Sequence, residues 1–325
     1  MRSLALALVL LGAAPAAALP ELGGRGPYPV GLTNLVFTKA SETTGEPPRL
    51  DTAVWYPAVE DTGTPEWDVA RDAEVRRGRW PLVVFSHGAC GFPGQSPFYT
   101  AGLASWGFVV AAPPHPGNTT GEIAHCFEPA ALADSYANRP ADVRFVIAAI
   151  AAEGRRRGSP FLRRVNRRRV GVSGHSFGGQ TTLRVAAEEP RIRGAVALAP
   201  AAMRPDAASI RTPTMILAGE RDSITPYDTA ARGAYALLEG PRFLVQIRNT
   251  GHCGFAILCA PLFCGAGCEP EALPLDQAHA LTLRYAVPFF LRYVGGRHRF
   301  ARALLPDAAP GDVVVEEAHP RGGPR

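Results

Sequence analysis

This 325-residue sequence predicts an α/β architecture, a doubly wound and mostly parallel sheet entered through antiparallel leading strands. Three observations carry that reading. Short, continuously apolar runs recur along the chain, such as Pro81-Leu-Val-Val-Phe85 and Phe108-Val-Val-Ala-Ala112; strands of this kind are buried on both faces, as parallel strands are. Segments with apolar residues at helical spacing alternate with those runs, which implies right-handed crossovers. Two extended segments come before the alternation starts, and they read as a hairpin-like pair.

In chain order, the leading strands are Val30 to Thr38 and Leu50 to Tyr56. Residues 60–78 are polar, charged and punctuated by Gly and Pro, and read as a surface loop. The strand at Pro81–Phe85 ends in Ser86-His87-Gly88, a helix follows over Tyr99 to Trp106, and the strand at Phe108–Ala112 stops at Pro113-Pro114. Val143, Phe145, Val146, Ile147 and Ile150 make Pro140 to Ala152 a helix. Val170–Val172 is the next strand and Thr181 to Glu189 the next helix. Further strands are read at Ala195–Leu198, Thr214–Leu217 and Phe243–Ile247, with helices at Thr229–Leu238 and Ala278–Val294.

Composition bounds the rest. With 46% hydrophobic and 19% charged residues, a chain of this length buries about 75% of its unfolded surface. The net charge of +5 is modest and comes from arginine, Lys39 being the one lysine; nucleic-acid binding is not expected. The arginine-dense stretch 154–169 reads as a solvated helix end and loop rather than a surface for an anionic partner. Residues 1–18 join Arg2, an apolar run from Leu4 to Leu11 and the small residues Ala16-Ala17-Ala18, the pattern of a secretory signal peptide cleaved after Ala18. A domain over 19–296 follows, then a tail, 297–325, expected to pack loosely or be disordered. Export to the periplasm or the medium, without stable membrane insertion once the signal is removed, fits six cysteines: Cys90, Cys126, Cys253, Cys259, Cys264 and Cys268. Disulfides are expected, at least one of them local to 253–268; zinc held beside His252 is the alternative.

The chemistry sits in Val170 to Gln180, VGVSGHSFGGQ. Gly174-His175-Ser176-Phe177-Gly178 is a G-x-S-x-G elbow between a predicted strand and a predicted helix, with small residues two positions either side of the serine so that strand and helix can approach. The turn would lift Ser176 above the carboxyl ends of the strands and aim the N–H of Phe177 into the same space. A serine hydroxyl needs a base, and the base an orienting carboxylate. The next two strands end near Glu220-Arg221-Asp222 and at Gly251-His252, so Asp222 is the expected acid and His252 the expected base, with Glu220 and then Asp228 as weaker acids. The N–H of Ala89, in the loop Ser86–Gly91, is the expected partner of Phe177 in holding an oxyanion. His87 is expected to order that loop, and His175 to pack beneath the elbow.

These segments, with WGFVVAAPPHPGNT, RPADVRFVI, LAGERDSITP and NTGHCGFA, resemble the α/β-hydrolases of the platelet-activating-factor-acetylhydrolase-like and predicted dienelactone-hydrolase-like kind, over Val30 to Val294. The resemblance implies an α/β-hydrolase fold and carboxylic-ester hydrolysis through a serine acyl-enzyme. It supports Ser176, Asp222 and His252 as a triad, with Ala89 and Phe177 at the oxyanion positions. Dienelactone hydrolases proper use a cysteine where this chain has Ser176, so that name does not carry a substrate with it. Few residues separate Pro200 from Thr214, which leaves no room for a large lid and favours small or short-acyl esters, lipid esters included. The connection from Pro113 to Asn138 and the segment Gly91–Phe98 are the expected pocket walls. Acyl transfer or amide cleavage on the same triad, and a non-catalytic binding role, are the alternatives. No metal or organic cofactor is required.

Overall fold

The computed structural model describes residues 21–66, 68–204, 207–257, 268–269, 271–306 and 310–318. Its strands are β1 (Val30–Thr38), β2 (Arg49–Pro57), β3 (Thr64–Glu66), β4 (Val69–Arg71), β5 (Trp80–Ser86), β6 (Val109–Ala112), β7 (Val165–His175), β8 (Ile192–Leu198), β9 (Thr214–Gly219), β10 (Arg242–Ile247) and β11 (Val313–Ala318). The helices are α1 (Pro97–Ser105), α2 (Pro129–Glu153), α3 (Phe177–Glu188), α4 (Arg232–Ala236) and α5 (Leu275–Tyr293). All the strands join one sheet in the order β11-β10-β9-β8-β7-β5-β6-β2-β1-β4-β3. From β6 to β10 the pairings are parallel, whereas β1 with β2, and β2 with β6, are antiparallel.

The apolar runs have a direct physical reading. Side chains alternate across a strand, so Val83 and Phe85 pack on one face with Leu103 of α1 and Phe289 of α5. Leu82 and Val84 pack on the other face with Val143 and Ile147 of α2 and Leu183 of α3. Helices therefore cover both faces, and the carboxyl ends of β5, β7, β9 and β10 share one rim.

Four segments differ from the sequence reading. Residues 60–78 carry the short strands β3 and β4, which extend the β1 edge. Helix α2 begins at Pro129 and runs through Pro140. A proline there leaves the carbonyl four residues earlier without its donor, and Arg184 Nη1 donates to that carbonyl, Tyr136 O, while its guanidinium stacks 3.8 Å from the Tyr136 ring. The arginine-dense stretch is partly strand: exposed Arg167, Arg168 and Arg169 lie on β7. With Arg79, Arg193 and Tyr293 they line a cavity of about 630 Å³.

The tail is the fourth difference. Instead of packing loosely, its described part contains a 3₁₀ turn, His298–Leu304, and β11, which pairs antiparallel with β10 over six residues, from Ile247 with Val313 to Arg242 with Ala318. Without it β10 would be an unpaired edge. Val313-Val314-Val315 has the β-branched side chains that suit a strand, and Arg232 with Glu316 pins it to α4 at 2.5 Å. The signal-peptide reading, residues 1–18, and Cys259 and Cys264 lie outside the described residues.

Candidate active site

Ser176 stands where β7 turns into α3, at φ 57° and ψ −119°. For a residue with a side chain that backbone is strained, at a cost of order 1–3 kcal/mol. The surroundings hold it: Ser176 N–H donates to Leu198 O at 2.9 Å, and the N–H groups of Gln180 and Ala201 donate to Ser176 O, each at 3.0 Å. The two glycines are where the elbow needs them. A Cβ on Gly174 would lie 2.4 Å from Gly178 O, and one on Gly178 only 1.9 Å from Ser86 O. From Val170 to Leu183, Ser176 is the one residue that is not buried.

Asp222 and His252 come together from the loops after β9 and β10. His252 Nδ1 donates to Asp222 Oδ2 at 2.8 Å, both side chains buried. Asp222 Oδ1 accepts the N–H groups of Ile224 at 2.9 Å and Thr225 at 2.7 Å, and the Thr225 hydroxyl lies 2.8 Å from Oδ2. Burial pushes this carboxyl up. The hydrogen bond and charge of His252, with the two Thr225 donors, outweigh it and hold Asp222 below its ordinary value. Glu220 instead accepts the N–H of Asn249 at 3.0 Å on the exposed side, and Asp228 lies against Arg232 at 3.6 Å; neither meets the imidazole.

His175 ties the loop after β5 to the loop after β10. Gly88 N–H donates to Gln95 Oε1 at 2.8 Å, Gln95 Nε2 donates to His175 Nδ1 at 2.7 Å, and His175 Nε2 donates to His252 O at 3.1 Å. Burial, then the charge of His252, lower His175 to about 3, so it is a neutral strut. It sits beneath the elbow with its ring centroid 4.6 Å from that of His252.

The loop after β5 rests on His87, which the sequence reading placed there, and on His115, Asn118, Arg139 and Asp142, which it missed. His87 is fully buried: Nδ1 donates to Gly88 O at 2.8 Å, and Nε2 accepts the N–H of His115 at 3.2 Å. Burial, then the charges of Arg139 and His115, hold it far below its ordinary value. Arg139, 0% exposed, enters from α2. It donates to His87 O at 2.5 Å, Gly88 O at 3.1 Å, Asn118 Oδ1 at 2.7 Å and Ser135 Oγ at 2.7 Å, and lies 4.6 Å from the centre of the Phe177 ring. Burial lowers its guanidinium to about 9, which leaves it charged at neutral pH. Below it runs a second Ser–His–Asp string: Ser86 Oγ to His115 Nε2 at 2.8 Å, and His115 Nδ1 to Asp142 Oδ2 at 3.0 Å. Ser86 is 1% exposed, so no substrate reaches it; Ser176 is the accessible serine. The clues were the segments HPGNT and NRPADV, where His115, Asn118, Arg139 and Asp142 read as ordinary loop and helix-surface residues.

A disulfide joins Cys90 to Cys126, linking the loop after β5 to the loop after β6. Cys253 and Cys268 are also disulfide-bonded. A disulfide sulfur offers no thiolate to zinc, and His252 Nδ1 is engaged by Asp222. Among the described residues no cluster of three His, Cys, Asp or Glu side chains is placed to hold a metal. The arginine-lined cavity lies at the opposite end of β7 from Ser176 and presents no nucleophile, so the chemistry rather than the cavity size locates the site.

The chain has relatives among known proteins. It is 30% identical over 148 residues to cutinase 2 of Thermobifida cellulosilytica, covering 46% of this chain and 50% of the relative. It is 24% identical over 156 residues to a bis(hydroxyethyl) terephthalate hydrolase of Streptomyces coelicolor, covering 47% and 44%. The chain thus spans half or less of the length of these curated relatives. A ferulic acid esterase from Streptomyces cinnamoneus shares the fold at a TM-score of 0.71 and 22% identity, covering 90% of this chain and 97% of that one. Together with the sheet order, this shows the α/β-hydrolase fold. The family described as PET hydrolase-like matches residues 95–259, from Gln95 in the loop after β5 to just past His252, and the chain belongs to that family.

Proposed function

We propose that this protein is a serine carboxylic-ester hydrolase working through an acyl-enzyme on Ser176. The observation that carries the reading is the strained, accessible Ser176 elbow on the same rim as the buried His252–Asp222 pair. With Nδ1 committed to Asp222, the Nε2 of His252 is the nitrogen available to the serine. It takes the Ser176 proton as Oγ bonds to the ester carbonyl carbon, and the carbonyl π electrons move onto oxygen. The N–H groups of Ala89 and Phe177 hold that oxyanion. As the tetrahedral intermediate collapses, the C–O bond to the alcohol breaks and His252 delivers its proton to the departing oxygen. A water deprotonated by His252 then attacks the acyl carbon, and Ser176 leaves with the proton. Asp222 keeps the imidazole in one tautomer and stabilises its charged form.

The substrate reading is a short-acyl ester with apolar surroundings. Among the described residues, each of the three loops that carry Ala89, Asp222 and His252 also exposes a large apolar side chain: Phe92, Ile224 and Ile257. The aromatic acids in the names of a relative and a structural neighbour, terephthalate and ferulic acid, support the apolar surroundings. Export to the periplasm or the medium is part of the proposal, supported by the disulfides. Among the described residues no helix is long and apolar enough to cross a membrane.

The test is hydrolysis of p-nitrophenyl esters from C2 to C12 by the wild type and by Ser176→Ala. Serine-dependent turnover that falls with chain length is expected, with a loss on the order of 10⁶ in kcat for the variant. Equal rates for the two proteins on every ester, with no fluorophosphonate labelling of Ser176, would overturn the proposal.

A further inference from the structure

Arg139 has a combination of partners that core packing does not require. A guanidinium is costly to bury, and well-packed apolar residues often stabilise a core as well as a buried charge network does. Apart from Ser135 on its own helix, the acceptors of Arg139 are His87 O, Gly88 O and Asn118 Oδ1, and the aromatic face it meets is that of Phe177. Its ionic neighbour is Asp142.

These partners surround one residue. The two peptide groups that flank Ala89 are both anchored on this guanidinium. On one side Gly88 O accepts from Arg139 Nη2, and His87 Nδ1 reinforces that position at 2.8 Å. On the other side Cys90 N–H donates to Asn118 Oδ1 at 3.3 Å, and the same oxygen accepts from Arg139 at 2.7 Å. In a trans peptide the C=O and the following N–H point in opposite directions. With Gly88 O turned toward the guanidinium, the Ala89 N–H is directed away from it. Among the described residues that N–H has no hydrogen-bond partner within the protein, and Ala89 is the one residue from Pro81 to Cys90 that is not buried. The turn lies against the nucleophile: a Cβ on Gly88 would sit 3.5 Å from Ser176 Cβ. The second expected donor, Phe177, opens α3, where an N–H has no acceptor within the helix, and its ring packs on Arg139.

We propose that Arg139 is the positioning residue of the oxyanion site: one guanidinium fixes the direction of the Ala89 N–H through both adjoining peptides and seats the Phe177 end of α3 beside it. It touches no reacting atom and acts through those two backbone groups. The assignment rests on the ester-hydrolase reading above.

The experiment compares the wild-type chain with Arg139→Lys and Arg139→Met. A lysine keeps the charge, but its single nitrogen cannot span three acceptors in a planar fork. Misplacing a donor by about 1 Å, or losing one, typically costs about 10²-fold or more. The expected result is a fall in kcat of about 10²-fold for both variants, with KM within about threefold of wild type. Affinity for a trifluoromethyl ketone, which forms an oxyanion on Ser176, should fall by the same factor, while inhibition by the product acid stays put. Arg139→Lys should recover most of the melting temperature without recovering kcat. The proposal is overturned if Arg139→Lys turns over at the wild-type rate. It is equally overturned if activity in both variants follows the folded fraction while ketone affinity per folded molecule is unchanged. Failure of the underlying reading looks different: the wild type itself would then neither hydrolyse esters in a Ser176-dependent way nor bind the ketone.

Discussion

Adding one methyl group at Gly178 should remove most of the activity. The new Cβ would lie 1.9 Å from Ser86 O, 2.5 Å from Ser86 C and 2.6 Å from His87 O. All three atoms are backbone, so no flexible side chain can swing aside. Ordinary contact begins near 3.4 Å, so α3 and the end of β5 would have to part by about 1.5 Å in a close-packed interior. Neither side yields freely: Arg139 holds His87 O, and Ser176 is held through Leu198. The strain should cost about 1–3 kcal/mol or more, or a fall of about 2–4 °C per kcal/mol in a domain of this class. The opening carries the Phe177 N–H away from Ala89, and a displacement of that size should lower kcat by at least about 10²-fold. The assay is kcat and KM on p-nitrophenyl acetate with a thermal melt. Gly233→Ala serves as control, because a Cβ there meets nothing within 4 Å and should leave activity intact. A Gly178→Ala protein with kcat within about threefold of wild type and an unshifted melt would refute the close-approach argument.

Three further outcomes are expected. Asp222→Asn should lower kcat by about 10⁴-fold while leaving the fold intact, as loss of the orienting carboxylate does in other serine triads; steady-state kinetics and circular dichroism check this together. Breaking the Cys90–Cys126 bridge, which spans 36 residues, should cost about 3–4 kcal/mol by the chain-entropy account, read as the denaturant midpoint of Cys90→Ser/Cys126→Ser. Asp142 gives a pH signature. Burial raises its carboxyl to about 6, so the folded state holds its proton more tightly than the unfolded chain does. The stability this contributes is complete below about pH 4 and is lost as pH rises through about 6, a change on the order of 2–3 kcal/mol. Unfolding free energies from pH 4 to 7 should therefore lose this component in Asp142→Asn; an unaltered pH profile would contradict it.

What the sequence revealed depended on range along the chain. The elbow is local, five residues whose strand-turn-helix setting can be read directly, and Asp222 and His252 follow from counting strand ends. The continuous apolar runs located β5 through β10, because burial on both faces leaves a one-dimensional trace. Arg139 left none: within RPADVRFVI it looks like one more arginine on a helix in an arginine-rich chain, and only the folded α2 brings it beneath residues about 50 positions earlier. Pro140 misled in the same segment, since proline usually opens a helix, and the donor that replaces its missing N–H comes from Arg184, 44 positions later. For the tail, Pro, Gly and charge dominated the composition and hid Val313–Val315, whose partner strand β10 lies far back in the sequence.

That last pairing bears on the order in which the molecule becomes safe. On the ribosome β11 emerges after every other strand of this sheet, so for the rest of synthesis β10, followed by the loop of His252, presents an unsatisfied row of N–H and C=O groups. Open rows of this kind recruit strands from neighbouring chains. A chain truncated after α5 would therefore carry Ser176, Asp222 and His252 together with an adhesive flank, which the Val313–Ala318 segment covers by pairing with β10.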